Sequence, residues 1–160
     1  MKYTIKQFRQ EFPDDDTCLE FLFSQKYPDA TGYHRVKDRK CWSHQSTKHQ
    51  IHPLAGTIFE KSSTPLTLWF HAIFLFSTSK NGVSAKELQR QLGVTYKTAW
   101  RIGHQIRSLM EQGQDPLHGT VEVDETYYGK GGKNATKFKN KDAILGMVER
   151  QGRVRVTKVP

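Results

Sequence analysis

Cysteine is scarce in this sequence, and long apolar stretches are absent from it. Only Cys18 and Cys41 occur among the 160 residues, so no disulfide framework is predicted. The longest apolar run, residues 68–76, is interrupted by His71 and is too short to span a bilayer. The N-terminus has no charged-then-apolar leader. We therefore predict a cytoplasmic protein without a membrane-spanning segment.

Acidic residues are in short supply after the first thirty positions. The chain has 25 Lys and Arg against 16 Asp and Glu, which gives a formal net charge of +9. Residues 1–30 carry four basic and six acidic side chains, whereas residues 31–160 carry 21 and 10. A basic body favours a polyanionic partner, because neutralising phosphates releases condensed counterions. Simple solubility is the alternative explanation of this charge.

Helical periodicity organises the stretch between residues 84 and 110. Ser84 and Glu87 fit a capping box at the start of one helix, and Gly93 supplies the permissive backbone of a tight turn. Thr95 can cap a second, longer helix, whose apolar positions recur every three or four residues. Two helices in this order predict a helix-turn-helix, whose second helix would lie in the major groove of DNA. An ordinary helical hairpin with a basic face is the alternative.

The first turns of this second helix carry the candidate DNA-binding residues, which are Tyr96, Lys97, Thr98 and Arg101. Lysine and hydroxyl side chains contact DNA phosphates, and arginine can hold guanine through two hydrogen bonds. The pattern therefore indicates both phosphate contacts and one base contact.

Three further helices are predicted before this motif. Residues 1–28 contain two short apolar patterns separated by Pro13, which ends the first helix. Three aspartates at residues 14–16 begin the second helix, where the macrodipole favours negative charge. Thr64 would cap the third helix, with Pro65 in its first position and a wide apolar face behind it. We expect the helix-turn-helix to pack against this third helix.

Residues 29–59 differ in character from the helices around them. Residues 33–37 and 40–42 predict two short basic strands around a turn at residues 37–39. A cysteine and three histidines lie within twelve residues, and both residue types are zinc ligands: Cys41, His44, His49 and His52. Their spacing matches no common two-knuckle zinc site, and polar surface histidines are the alternative explanation.

The C-terminal region alternates between apolar and polar residues, as strands do. Three strands are predicted, at residues 119–128, 143–149 and 153–159. Residues 151 and 152 form a hairpin turn in this prediction, and residues 129–141 form a loop with five lysines. Strands that follow each other in this way favour an antiparallel meander. The alternation places Glu122 and Asp124 on the same face of the first strand.

Four segments together resemble one protein family, at residues 52–66, 77–85, 92–100 and 121–127. They resemble bacterial insertion-sequence transposases of the zinc-ribbon, helix-turn-helix and RNase-H-like DDE type (ISXO-like). The resemblance implies an α+β fold, in which a mainly helical N-terminal part precedes an RNase-H-like sheet. It also implies metal-dependent cleavage and transfer of DNA strands, with Asp124 as the first catalytic aspartate. That carboxylate would hold Mg²⁺, an ion that prefers oxygen ligands.

The sequence departs from this family in two respects. The family's ribbon has two Cys-x-x-Cys knuckles, whereas residues 27–33 lack cysteine and His44 and Thr47 stand about where cysteines would be. The ribbon is therefore degenerate, and a bound zinc ion is doubtful. The sequence also ends at Pro160, which leaves the three-stranded meander incomplete and the family's later acidic residues missing. We expect a truncated chain that is catalytically inactive alone.

Four segments follow from these patterns: N-terminal helices at 1–28, a degenerate zinc-ribbon-like segment at 29–59, a helix-turn-helix domain at 60–111 and an RNase-H-like fragment at 119–160. The expected function is binding of insertion-element DNA in transposition. The expected partner is double-stranded DNA at element ends, with a full-length transposase or a second copy of the chain as further candidates. The alternatives are a stand-alone DNA-binding regulator or inhibitor of transposition, and a misfolded remnant without function.

Overall fold

Five α-helices and two antiparallel three-stranded sheets make up the part of the chain that a computed structural model describes, residues 3–110, 116–129, 141–150 and 152–159. This composition confirms the predicted α+β class. The chain divides into two compact units, Met1–Leu109 and Met110–Pro160.

The first unit contains all five helices and the smaller sheet. Its helices are α1 (Ile5–Glu11), α2 (Asp15–Lys26), α3 (Leu66–Thr78), α4 (Ala85–Leu92) and α5 (Tyr96–Leu109). Its strands are β1 (Tyr33–Arg35), β2 (Trp42–His44) and β3 (Gln50–Ile51). The second strand begins two residues later than predicted. The third was not predicted, because two residues are too few to show an alternating pattern, and it forms by pairing Ile51 with Trp42.

The ends of the first two helices follow from local sequence. Thr4 and Gln7 form a capping box at the start of α1, and Pro13 lies between α1 and α2. The Asp14 carboxylate accepts a hydrogen bond from the Thr17 amide at 2.8 Å, which satisfies one of the free amides at the start of α2. The predicted pair of N-terminal helices is confirmed.

The start of α3 differs from the prediction. Pro65 is the N-cap residue, outside the helix, and Thr64 does not cap it. The Asp15 carboxylate of α2 caps it instead, accepting hydrogen bonds from the Thr67 amide at 2.9 Å and the Thr67 hydroxyl at 3.0 Å. The cap that was predicted for Thr64 is therefore supplied by Asp15, which lies 52 positions before Thr67 in the sequence.

One hydrophobic core runs through the first unit. Trp69 of α3 is fully buried, and Leu19 of α2, Leu88 of α4 and Ile102 of α5 belong to the same cluster. The small sheet joins it through Trp42, whose ring stacks on Phe23 with centroids 4.2 Å apart. The predicted segments 1–28 and 29–59 and the helix-turn-helix thus share one core. Burying side chains of this size stabilises the fold by about 1.5–3 kcal/mol each.

The second unit is an antiparallel meander in the order β4 (Val121–Tyr128), β5 (Asp142–Glu149), β6 (Val154–Val159). This topology confirms the predicted meander. The turn between β5 and β6 closes with a hydrogen bond from the Glu149 amide to the Arg153 carbonyl at 2.8 Å. Residue 151 of the predicted turn and residues 130–140 of the predicted loop lie outside the described residues. None of the described side chains in these three strands is buried.

Candidate nucleic-acid interface

Helix α4 is the first helix of the predicted helix-turn-helix, and its N-cap is Ser84 as predicted. The Glu87 amide donates to the Ser84 hydroxyl at 3.1 Å. The other half of the predicted capping box is not formed, because the Glu87 carboxylate accepts from the side chains of Gln91, at 2.9 Å, and Arg90. These two hydrogen bonds hold the pKa of the Glu87 carboxyl below its usual value.

The turn between the helices depends on Gly93. This residue has a φ of 65° and a ψ of 26°, the left-handed conformation that glycine adopts without a steric penalty, and its amide donates to the Gln89 carbonyl at 3.1 Å. Helix α4 therefore ends at Leu92, and α5 begins at Tyr96, three residues after Gly93. The predicted role of Gly93 is confirmed.

Thr95 caps α5, as predicted. Its hydroxyl accepts from the Thr98 amide at 3.3 Å, and its carbonyl accepts from the Ala99 amide at 2.9 Å. The Thr95 and Thr98 hydroxyls are 3.0 Å apart and bonded to each other. Thr98 is therefore half-buried and engaged at the cap, which sets it apart from the other three predicted DNA-binding residues.

The inner face of α5 fixes the helix against α4 and α3. Ala99, Ile102 and Ile106 are buried there. Gly103 permits close packing, because a Cβ atom at that position would lie 3.1 Å from Leu88 Cδ1 of α4. The Arg107 guanidinium donates to the Val83 carbonyl at 2.6 Å. The orientation of the outer face of α5 follows from these contacts.

The outer face of α5 is exposed along two turns. Five side chains at helical spacing form it: Tyr96, Lys97, Trp100, Arg101 and His104. We call these five residues the α5 outer face. Three of the predicted DNA-binding residues belong to it. Trp100 and His104 were not predicted as site residues, although spacings of three and seven from Lys97 place both on this face.

Several of these side chains already have partners. The ammonium group of Lys86, on α4, lies 4.8 Å from the centroid of the Tyr96 ring. The Arg101 guanidinium carbon lies 5.9 Å from the centroid of the buried Trp69 ring. The Trp100 and His104 rings stack almost in parallel, at an angle of 3° and a centroid distance of 5.2 Å. Aromatic rings thus lie close enough to the Lys86 and Arg101 cations to attract them.

The charge of α5 is of one sign. The helix contains a lysine and two arginines and no aspartate or glutamate. By contrast, α2 has Asp15 and Asp16 in its first turn and α4 has Glu87. Cations near a helix N-terminus oppose the macrodipole, which favours anions there. A negatively charged partner would relieve this unfavourable arrangement.

The four predicted zinc ligands are not arranged as a metal site. Cys41 is buried, whereas His49 and His52 are exposed. The His44 Nδ1 atom accepts from the Ser46 and Thr47 amides at 3.3 and 3.2 Å, and the His49 Nδ1 atom lies 2.9 Å from the Tyr33 hydroxyl. Within the described ranges no group of three His, Cys, Asp or Glu side chains could hold a metal ion. These residues therefore do not fit a zinc ion in this arrangement.

Asp124 lies on β4, where its side chain is exposed and accepts from the Glu125 amide at 2.9 Å. Glu122 shares a face with Asp124 by the alternation of the strand, but its carboxylate pairs with Arg150 at 2.8 Å. A two-ion site needs several carboxylates converging on the same point, and the described residues contain no such group. The site as described does not fit Mg²⁺, and the catalytic role of Asp124 stays a prediction.

No helix in the described part of the chain is both long enough and apolar enough to cross a membrane.

Comparison with known proteins connects the chain to mobile DNA. It is similar to an uncharacterized protein in transposable element ISH50 of Halobacterium salinarum, with 32% identity over 76 residues. The matched part is 48% of this chain and 25% of the relative, so the chain spans about a quarter of the length of that protein. No protein-family model and no solved structure matches the chain. The similarity supports an association with insertion sequences.

Proposed function

We propose that this chain binds double-stranded DNA at the ends of an insertion element through α4 and α5, as part of DNA transposition. One observation carries the proposal: α5 buries one face in the core and leaves the opposite face exposed, basic and free of carboxylates. The similarity to an insertion-element protein supports the choice of DNA as the polyanion.

Each side chain of the α5 outer face has a role in this proposal. Lys97 is exposed at the first turn, where a phosphate contact is compatible with the positive end of the helix. Arg101 lies one turn further along and would leave the Trp69 ring to hold a guanine through two hydrogen bonds. Tyr96 would contact the sugar–phosphate backbone of the DNA. Thr98 would contribute from the cap, where its hydroxyl bonds to that of Thr95.

The proposed reaction context is transposition, in which strand cleavage and transfer require divalent metal ions. Asp124 is the residue of this chain that we propose for such a site in a complete enzyme. The carboxylates of the described residues do not converge on one point. The second candidate is a regulator that binds DNA or a transposase without cleaving DNA.

A titration tests both candidates. Duplexes with a randomised centre are first selected on the protein, and the recovered duplex is then titrated at several salt concentrations, with and without Mg²⁺. The products are resolved on a denaturing gel. Lys6→Ala is the matched control for Lys97→Ala, because Lys6 is an exposed lysine of α1 within the acidic N-terminal stretch.

Salt-sensitive binding that Lys97→Ala weakens and Lys6→Ala does not would support the proposed interface. Strands that stay intact would favour the regulator, whereas metal-dependent cleavage that Asp124→Ala abolishes would favour the transposase. Equal binding by wild type and the Lys97→Ala, Arg101→Ala double variant would overturn the proposal.

A further inference from the structure

Trp100 is the exception among the three tryptophans. Trp42 and Trp69 are 5% and 0% exposed, whereas Trp100 is 54% exposed on the outer face of α5. A large apolar side chain gains free energy when it leaves water, and nothing in the folding of α4 and α5 requires an indole at this position. The side chains that hold α5 in place lie on its other face.

The indole is held in a defined orientation. The His104 ring stacks on it at an angle of 3°, which limits the rotamers that Trp100 samples before any partner arrives. A side chain that is already ordered loses less conformational entropy on binding. The two rings therefore form a pre-ordered aromatic surface beside Lys97 and Arg101.

We infer that Trp100, positioned by His104, adds an apolar contact to the DNA interface of α5 and packs against base edges in the major groove, where the thymine methyl is the apolar feature. The inference rests on the proposed function and deepens it by naming a specificity residue. Two measures of geometry support it. Trp100 lies about 5 Å along the axis from Lys97, and the groove is about 12 Å wide and 8.5 Å deep.

The positive charge around Trp100 favours DNA over a protein as the partner of this side chain. Trp100 is flanked on its own face by Lys97 and Arg101, and no carboxylate occurs in α5. An apolar protein partner would have to bury or displace these cations, which costs desolvation energy. The phosphates on either side of the major groove would pair with them while the indole faces the base edges.

Acrylamide quenching of tryptophan fluorescence tests the inference on the whole chain, with the selected duplex as the probe. Since the other two indoles are buried, the quenchable signal comes from Trp100, and the Trp100→Phe variant supplies the baseline. Anisotropy of the labelled duplex reports binding in the same samples. Circular dichroism melting checks that each variant is folded.

We expect saturating duplex to protect Trp100 from acrylamide. Trp100→Ala should weaken binding about five- to tenfold, the loss expected when one apolar contact is removed, and Trp100→Phe should weaken it less. Replacing single thymines of the site by deoxyuridine, which lacks the methyl, should reproduce the loss at one position for wild type and have no effect there for Trp100→Ala.

Binding with unchanged quenching of Trp100 would overturn this inference and leave the proposed function standing. Protection that depends on protein concentration and not on DNA would also overturn it, and would assign Trp100 to a contact between copies of the chain. An absence of any binding, with the quenching unchanged, would overturn the proposed function itself and the inference with it.

Discussion

The Asp15 carboxylate of α2 accepts hydrogen bonds from both the amide and the hydroxyl of Thr67, at 2.9 and 3.0 Å, in the first turn of α3. Burial alone would raise the pKa of the Asp15 carboxyl, but hydrogen bonds from the Thr67 and Leu66 amides outweigh it and lower the pKa below 3.8. The contact joins the N-terminal helices to the helix that supports α4 and α5.

Removing this carboxylate should destabilise the first unit. We expect Asp15→Ala to lower the free energy of unfolding by about 1–2 kcal/mol, as the loss of a helix cap does. Thermal unfolding followed by circular dichroism at pH 7 measures this. Asp29→Ala is the matched control, since Asp29 is exposed beyond the end of α2. Equal melting of the two variants would contradict the assigned cap.

The contribution of Asp15 should depend on pH. Its folded-state pKa is lowered from 3.8, so the ionised carboxylate stabilises the fold at pH values above 3.8. This stabilisation is lost as the pH falls through the folded-state pKa, when the carboxyl becomes protonated in both states. The difference in unfolding free energy between wild type and Asp15→Ala should therefore shrink on titration from pH 7 to pH 3. A difference that stays constant over this range would refute the linkage.

The turn between α4 and α5 should tolerate asparagine at Gly93 better than alanine. Gly93 has a φ of 65°, and no atom lies within 4 Å of a Cβ built on it, so substitution acts through the backbone alone. Gly93→Ala should cost about 1–2 kcal/mol of stability, and Gly93→Asn less, because asparagine adopts the left-handed conformation more readily. Chemical unfolding of the three proteins measures the order. Equal stability of wild type and Gly93→Ala would be inconsistent with the turn geometry.

The packing of α5 on α4 should be sensitive to volume at Gly103. Its Cβ position lies 3.1 Å from Leu88 Cδ1 and 3.2 Å from Arg107 Nη1. In Gly103→Ala the gain in helix propensity offsets part of the crowding, whereas Gly103→Val should destabilise by about 1–3 kcal/mol through overpacking. Melting temperatures and duplex binding should fall together in the valine variant. A valine variant as stable as the alanine variant would show that the two helices separate more easily than proposed.

Lys97 and Arg101 should differ in how they affect DNA binding. Loss of a phosphate contact weakens binding to all sequences and reduces the slope of log K against log salt by about 1. Loss of a bidentate guanine contact costs about 1–3 kcal/mol and relaxes the preference at one position. We therefore expect Lys97→Ala to change the salt slope and Arg101→Ala to change the selected sequence. If Lys97→Ala changed the selected sequence and Arg101→Ala changed the salt slope, the roles proposed for Lys97 and Arg101 would be wrong.

The rates of amide hydrogen exchange should differ between the two units. The strands β4, β5 and β6 have no buried side chain among the described residues, whereas α3, α4 and α5 surround Trp69 and Leu88 at full burial. Protection against exchange follows the free energy of opening, which rises with buried apolar contact. We expect amides of β5 to exchange faster than those of α3. Comparable protection in both would mean that the sheet has stabilising contacts we have not identified.

Local sequence determined most of the helix ends and the meander. Pro13, Ser84, Gly93 and Thr95 act on backbone groups within four residues of themselves, so their effects can be predicted without knowledge of the fold. The same holds for strand alternation after Val121, since the side chains of a strand point to alternate faces by geometry alone.

Tertiary structure decided the cap of α3, the formation of β3 and which face of α5 is exposed, none of which follows from local sequence. The cap of α3 comes from Asp15 because packing brings α2 beside it, and β3 exists only through its pairing with β2. Trp100 is a large apolar residue that lies outside, because packing on α3 and α4 makes the face with Ala99 and Ile102 the inner one. Each of these outcomes depends on contacts between different elements of the chain, and only the packed chain brings those elements together.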